Sequence, residues 1–176
     1  LGALESLRAG CTTQLDMYFH HEAAHRGAVA AGSRHIGGPV FFDGPGPDGL
    51  SWQDRLDGLR AWPSALSEIG GPQVPVAALP RATYPCSPEQ LAQVCRELAS
   101  LPGRRRLSTH VSENAAENAD VLARFGRTPT AVLRDAGWFA DGIPPVVLGH
   151  GVHLSAQDRA VLAGAPQGAT VGHCPG

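Results

Sequence analysis

A histidine and a glutamate three residues apart are the pair best placed to do chemistry. They lie in residues 105–113, RRLSTHVSE, where apolar and polar side chains alternate with the period of two that is typical of a β-strand. His110 falls on the polar face near the carboxyl end, and Glu113 follows it. Imidazole is a common metal ligand and proton carrier, and a carboxylate beside a metal-bound water can carry its proton to a leaving group. The pair therefore predicts metal-assisted proton transfer.

Three other predicted strands also end on a histidine, namely His20, His150 and His173. The carboxyl ends of parallel strands meet at one rim of a sheet or barrel, so we expect the four imidazoles to converge there. A single histidine at such a position is more often a hydrogen-bonded structural residue. Four at strand ends predict a common site.

Strand and helix patterns alternate along the whole chain. Apolar runs without polar partners, such as VVL at 146–148, indicate an α/β fold in which helices cover a parallel sheet. We expect a polar inner face in the first strand and a kink or break at Pro63. The predicted strands are 11–20, 33–42, 74–79, 105–111, 144–150 and 169–173. The predicted helices are 1–8, 21–31, 52–69, 87–98, 114–125, 128–137 and 155–162.

Composition excludes several classes of partner. The 176 residues carry a formal net charge of −2, with neither a basic stripe for nucleic acid nor a polybasic patch for a membrane surface. No apolar segment approaches the ~20 residues that span a bilayer. The four cysteines lack CxxC spacing, which favours reduced thiols and a cytoplasmic protein. Assembly as a homo-oligomer stays open.

A second motif offers a different chemistry. Residues 21–25 read HEAAH, the HExxH pattern that places two zinc ligands and a glutamate base on one face of a metallopeptidase helix. It begins directly at the end of the first predicted strand, and Arg26 and Gly27 follow where a zincin helix continues with apolar residues. We favour coincidence in an alanine-rich helix and keep the peptidase as an alternative. No phosphate-binding glycine motif or GxSxG elbow occurs.

Five motifs together resemble a known family. They are GCTTQLDMYFH, RATYPCSPEQL, STHVSEN..E, VVLGHGVHLS and VGHCPG, in this order. In order and spacing they resemble the aminohydrolase branch of the amidohydrolase superfamily, which contains S-adenosylhomocysteine and methylthioadenosine deaminases, guanine and cytosine deaminases and triazine hydrolases. The resemblance covers nearly the whole chain. It implies a (β/α)8 barrel of which this chain holds the second to seventh strands.

The resemblance also implies roles for individual residues. His110 looks like the metal ligand at the end of the fifth strand, Glu113 like the acid/base glutamate, and His150 like the histidine that ligates metal or positions water. His173 would lie near the substrate. Arg81 stands where many relatives carry a histidine that touches substrate, and Tyr84 in the same loop is a further candidate. The implied cofactor is a divalent metal, Zn²⁺ or alternatively Fe²⁺, and the implied partners are water and a heterocyclic substrate.

The chain departs from the family pattern at both ends. The HxH ligand pair of the first strand and the aspartate of the eighth strand have no counterpart in residues 1–176. The first residue is not Met, so we expect an incomplete barrel domain truncated at both ends, inactive and poor in metal on its own. A degenerate barrel used as an interaction module is the second alternative.

Overall fold

A computed structural model describes residues 1–174 of the chain. Strands and helices alternate along the chain, as the sequence predicts, except at one place where two strands follow each other and one where two helices do. The strands are β1 (Thr13–Leu15), β2 (Arg34–Ile36), β3 (Val40–Phe41), β4 (Val76–Pro80), β5 (Arg105–Val111), β6 (Val146–His150) and β7 (Ala169–Gly172). The helices are α1 (Gly2–Arg8), α2 (His21–Ala31), α3 (Trp52–Ile69), α4 (Pro88–Ser100), α5 (Ala115–Phe125), α6 (Pro129–Asp135) and α7 (Ala156–Ala163).

Every strand pairing is parallel and follows the order of the chain. β1 pairs with β2, and the main sheet has the order β3-β4-β5-β6-β7. Each step between neighbouring strands of the main sheet crosses through at least one helix. Sequential parallel order with helical crossovers is the arrangement of a sector of a (β/α)8 barrel. The predicted fold class is confirmed.

The predicted strand 33–42 is wrong as a single element, because it is divided into β2 and β3. Between them lie Gly37, Gly38 and Pro39, and proline has no N–H for a strand ladder. Gly38 passes so close to β4 that a Cβ there would lie 1.9 Å from the Ala77 carbonyl oxygen. The first half therefore pairs with β1 and the second half with β4.

The predicted strand 11–20 is also too long. Only β1 is extended and paired, because its partner β2 ends at Ile36, whose carbonyl accepts a last hydrogen bond from Asp16 N at 3.0 Å. The continuous polar face expected through His20 is therefore not formed. His20 instead precedes α2 as its N-terminal cap, with φ of 56°.

Local sequence signals predict the start of α4 correctly but not the course of α3. α4 begins with the predicted capping box, in which Ser87 Oγ accepts from Gln90 N at 3.2 Å and Gln90 Oε1 accepts from Ser87 N at 2.7 Å. Of the kink or break expected at Pro63, the break does not occur, because α3 is one continuous helix. Packing compensates for the lost hydrogen bond, since Leu59 and Trp62 of α3 are fully buried in the core.

Apolar side chains cover both faces of the sheet. Ala78 of β4 packs outward into the large cluster under the helices, whereas Ala77 and Leu79 join Val40 in a small inner cluster. Successive strand residues point to opposite faces, so β4 is buried along its entire length. None of the helices in residues 1–174 is both long and apolar enough to cross a bilayer.

Candidate active site

The pairing of β5 with β6 brings His110 and His150 together. In this register His110 lies opposite Gly149 and Val111 opposite His150. The two imidazole centroids are 5.2 Å apart. A Cβ at Gly149 would lie 3.0 Å from His110 Cδ2, so the absence of a side chain there makes room for the His110 ring. Two of the sequence-predicted site residues thus meet at the carboxyl ends of neighbouring strands.

Hydrogen bonding orients the His110 ring. The Arg81 carbonyl oxygen accepts from His110 N at 3.0 Å and from His110 Nδ1 at 2.9 Å. A carbonyl only accepts, so Nδ1 carries the proton and the Nε2 lone pair is left available. Burial lowers the pKa of His110 and the nearby His150 lowers it further, although the bond to Arg81 opposes both. The ring is therefore kept neutral, the form in which histidine binds metals.

Glu113 is the third predicted residue at this place. Its Oε1 lies 3.8 Å from His150 Nε2, and its side chain is about half exposed, at 47%. The backbone conformation is unusual at both places. His150 itself has φ of 72°, and Ser112, which directly precedes Glu113, has φ of 50°. Non-glycine residues rarely adopt this left-handed region, and such residues concentrate at functional sites. The two turns direct Glu113 and His150 toward each other.

A buried carboxylate, Glu117, holds the turn after β5. It accepts hydrogen bonds from Ser112 N at 3.2 Å and from Glu113 N at 2.8 Å. Its own N–H donates to Asn114 Oδ1, the cap of α5, at 2.9 Å. The sequence motifs by themselves indicate no role for Glu117. The available signal was the spacing Asn114-x-x-Glu117, which places a carboxylate in the first turn of a helix.

Arg81 and Tyr84 lie in the loop between β4 and α4. Both side chains are exposed, and the Arg81 backbone lies beside His110 through the bonds to its carbonyl. The Tyr84 carbonyl accepts from Arg124 Nη1 of α5 at 2.7 Å. Tyr84 also lines an open cavity of about 240 Å³ together with Asn114, Ala116, Glu117 and Asp120. This loop therefore borders the same end of the sheet as Glu113.

The remaining predicted histidines are placed differently. His173 follows β7 directly and is exposed, and Gly172 before it pairs with Gly149 of β6. Pro175 and Gly176, the end of the VGHCPG motif, lie outside the described residues. The prediction that His20 ends a strand is wrong, because four residues separate it from the end of β1.

In HEAAH, the two histidines share a contact with Trp62, whereas the glutamate pairs with an arginine on the exposed side of the helix. Glu22 Oε1 pairs with Arg26 Nη2 at 2.8 Å on the exposed side of α2. The His21 and His25 rings both stand edge-on to Trp62, with centroids 4.7 and 5.6 Å away. His25 is buried, and its Nδ1 lies 3.1 Å from the His35 carbonyl oxygen. The glutamate is engaged by Arg26 and the histidine rings pack on Trp62, an arrangement that does not resemble a zincin site.

His110 fits the chemistry of a metal ligand, because its Nε2 lone pair is available and its ring is held from behind. His150 is close enough to share a site with it. Among residues 1–174, no group of three or more His, Cys, Asp or Glu side chains is placed to hold a metal ion. His110 and His150 could therefore form only part of a metal site.

Comparison with known proteins agrees with this architecture. The model of the amidohydrolase family matches residues 1–176. The chain is 35% identical over 176 residues to a 5-methylthioadenosine/S-adenosylhomocysteine deaminase of Thermococcus kodakarensis, and the match covers 100% of this chain and 39% of that protein. The chain thus spans about two fifths of the length of this relative.

Two solved structures share the fold. An adenosine deaminase from Xanthomonas campestris with bound zinc superposes with a TM-score of 0.77 at 24% identity, covering 98% of this chain and 37% of that one. A guanine deaminase from C. acetobutylicum with bound guanine has a TM-score of 0.72 at 19% identity, covering 98% and 42%. The matched family model and the parallel β/α sector lead to one conclusion: this chain belongs to the amidohydrolase family.

Proposed function

We propose that the protein containing this chain is a metal-dependent aminohydrolase that hydrolyses a C–N bond on a nitrogen heterocycle and releases ammonia. The observation that carries the proposal is the meeting of His110, Glu113 and His150 at the ends of β5 and β6 in a member of the amidohydrolase family. One neutral imidazole, one carboxylate and a second imidazole are the groups needed to place a cation, move a proton and orient water.

His110 would contribute Nε2 as one ligand of the divalent metal, Zn²⁺ or alternatively Fe²⁺, with His150 as a second ligand or as the residue that positions water. When bound, the metal would act as a Lewis acid and lower the pKa of the attacking water. The Nδ1 bond from His110 to the Arg81 carbonyl would keep the ring oriented.

Glu113 would serve as the acid/base group. Its exposed carboxylate can take a proton from water and pass it to a ring nitrogen of the substrate, and afterwards to the departing amine. His150, 3.8 Å from Glu113, would orient the water relative to this carboxylate. We assign the metal ligand role to His110 and the catalytic roles to Glu113 and His150.

The substrate would lie over the ends of β4 to β7. The Arg81 guanidinium can donate to an acceptor on the heterocycle, and the Tyr84 ring, which is 37% exposed, offers an apolar face. His173 would approach from the end of β7. Purines, pyrimidines and triazines fit this description, and the deaminase named among the relatives supports adenine-containing thionucleosides as the first compounds to test.

The decisive experiment is an ammonia-release assay of the complete, zinc-loaded protein with these substrates. Replacing Glu113 by Gln should lower kcat by about 10²–10⁴-fold, the usual contribution of general acid–base catalysis. Glu22→Gln, on the exposed side of α2, is the matched control and should leave kcat unchanged. Loss of activity with Glu22→Gln but not with Glu113→Gln would refute the proposal in favour of the HEAAH motif.

A further inference from the structure

We propose that Glu117 is a positioning residue for Glu113, an inference that rests on the proposed aminohydrolase function. Glu117 is 6% exposed in the first turn of α5. Its Oε2 accepts from Glu113 N at 2.8 Å, and its Oε1 accepts from Ser112 N at 3.2 Å. Both oxygens of one buried carboxylate thus hold the two peptide N–H groups at the base of the Glu113 side chain.

The turn needs such support because of its backbone conformation. Ser112 has φ of 50°, a region that residues with a side chain rarely adopt. Its hydroxyl is buried and has no hydrogen-bond partner among the described residues, so the Ser112 side chain does not stabilise the turn. Charge-assisted hydrogen bonds are roughly twice as strong as neutral ones, and Glu117 supplies two of them to this turn.

The same turn is joined to the loop that follows His150. The Val111 carbonyl accepts from Gly151 N at 2.9 Å, and the Ser112 carbonyl accepts from His153 N at 3.0 Å. A shift of Ser112 would therefore change the position of Glu113 relative to His150, now 3.8 Å away. A displacement of about 1 Å in a catalytic group can lower a rate by about 100-fold.

Asp158 provides a matched control for loss of a buried capping carboxylate. It is 3% exposed in the first turn of α7 and accepts from Ser155 N at 2.9 Å and from Thr128 Oγ1 at 2.6 Å. None of these partners is a proposed site residue. Removing the Asp158 carboxylate should thus lower the free energy of unfolding without displacing Glu113.

The test compares Glu117→Ala, Glu117→Gln and Asp158→Ala in the complete, zinc-loaded protein. We expect Glu117→Ala to lower kcat by about 10- to 100-fold with KM within about threefold of the unmodified protein. Glu117→Gln keeps one acceptor oxygen and should recover part of that loss. Asp158→Ala should lower Tm by about as much as Glu117→Ala does, but should change kcat by less than about twofold. Equal kcat in Glu117→Ala and Asp158→Ala would overturn the proposal.

Hydrogen exchange of individual amides separates this inference from the proposed function. Glu117→Ala should accelerate exchange at Ser112 and Glu113 and leave Ser155 unchanged, and Asp158→Ala should do the reverse. If the unmodified protein releases no ammonia from any heterocycle, the proposed function fails, yet this exchange pattern would still support the control of the turn by Glu117. Unchanged exchange at Ser112 and Glu113 would overturn it.

Discussion

His21 and His25 illustrate how single residues acquire a role that their motif does not suggest. His25 is almost fully buried, next to His35, whose Nε2 lies 3.2 Å from Asp16 Oδ2. Burial lowers the pKa of His25, and the neighbouring His35 lowers it further. The contacts of His25 connect α2 to His35 of β2 and to Trp62 of α3, and His35 in turn contacts Asp16, directly after β1. The two histidines of HEAAH therefore pack α2 against α3, and His25 also packs it against β2.

At the residue scale, we predict that His21 makes the protein sensitive to acid. Burial lowers the pKa of His21 from 6.5 to about 4. The unfolded chain then binds a proton that the folded protein excludes, so this contribution to stability is present above about pH 6.5 and is lost as the pH falls toward 4. When the pH is lowered from 7.5 to 5, the free energy of unfolding falls in both proteins. In His21→Gln this fall should be smaller by about 1–2 kcal/mol than in the unmodified protein.

Urea denaturation at the two pH values measures this difference. The exposed His153 provides the control, because His153→Gln should retain the full loss of stability at pH 5. An acid sensitivity that His21→Gln leaves unchanged would contradict the prediction.

At the scale of elements, close contact between backbones decides where β2 ends and β3 begins. Gly38 packs directly against Ala77 of β4, and Trp62 Nε1 donates to the Gly37 carbonyl at 2.7 Å. This contact turns the chain from the pairing with β1 to the pairing with β4. No periodicity in residues 33–42 reveals it, because the decisive neighbours lie on β4 and α3.

Two glycine substitutions test this account. Gly38→Ala would place a Cβ 1.9 Å from the Ala77 oxygen and should lower the free energy of unfolding by about 1–3 kcal/mol. Gly27→Ala, in the middle of α2 with nothing within 4 Å of its Cβ position, should instead raise it by about 0.5–1 kcal/mol. Thermal unfolding compares the two, and a neutral Gly38→Ala would contradict the proposed contact.

At the scale of the whole molecule, the candidate catalytic residues lie together at the carboxyl ends of neighbouring strands. β5 and β6 hold His110 and His150, and α5 holds the turn of Glu113. A catalytic zinc site uses at least three protein ligands, more than these two histidines supply. Under the proposed function, we expect other parts of the protein that contains this chain to supply the remaining ligands.

We therefore predict that residues 1–176 alone bind less than about 0.1 equivalent of zinc after dialysis and release no ammonia from purines. The complete protein should bind stoichiometric zinc, and His110→Ala should lower its metal content. Elemental analysis with the ammonia assay checks both. Stoichiometric zinc and deamination by residues 1–176 would show that the barrel sector is sufficient.

Local patterns in the sequence determined most of the elements and the central part of the candidate site. Ser87 and Gln90 specify their own helix start, and the alternation in residues 105–111 specifies β5, because these signals depend on neighbours along the chain. His110, Glu113 and His150 are candidates for the same reason, since each stands at or just beyond the end of a clear strand pattern.

Only the tertiary structure decided the features that depend on contacts between distant segments. In the structure, the predicted strand 33–42 is divided at Gly38, and His20 precedes a helix and does not end a strand. The histidines of HEAAH pack against Trp62. The structure also shows that Glu117 holds the backbone of Glu113. Short-range patterns register which face of a strand or helix is apolar, whereas the partner of a buried carbonyl, carboxylate or imidazole is fixed by chain packing that brings remote residues within hydrogen-bonding distance.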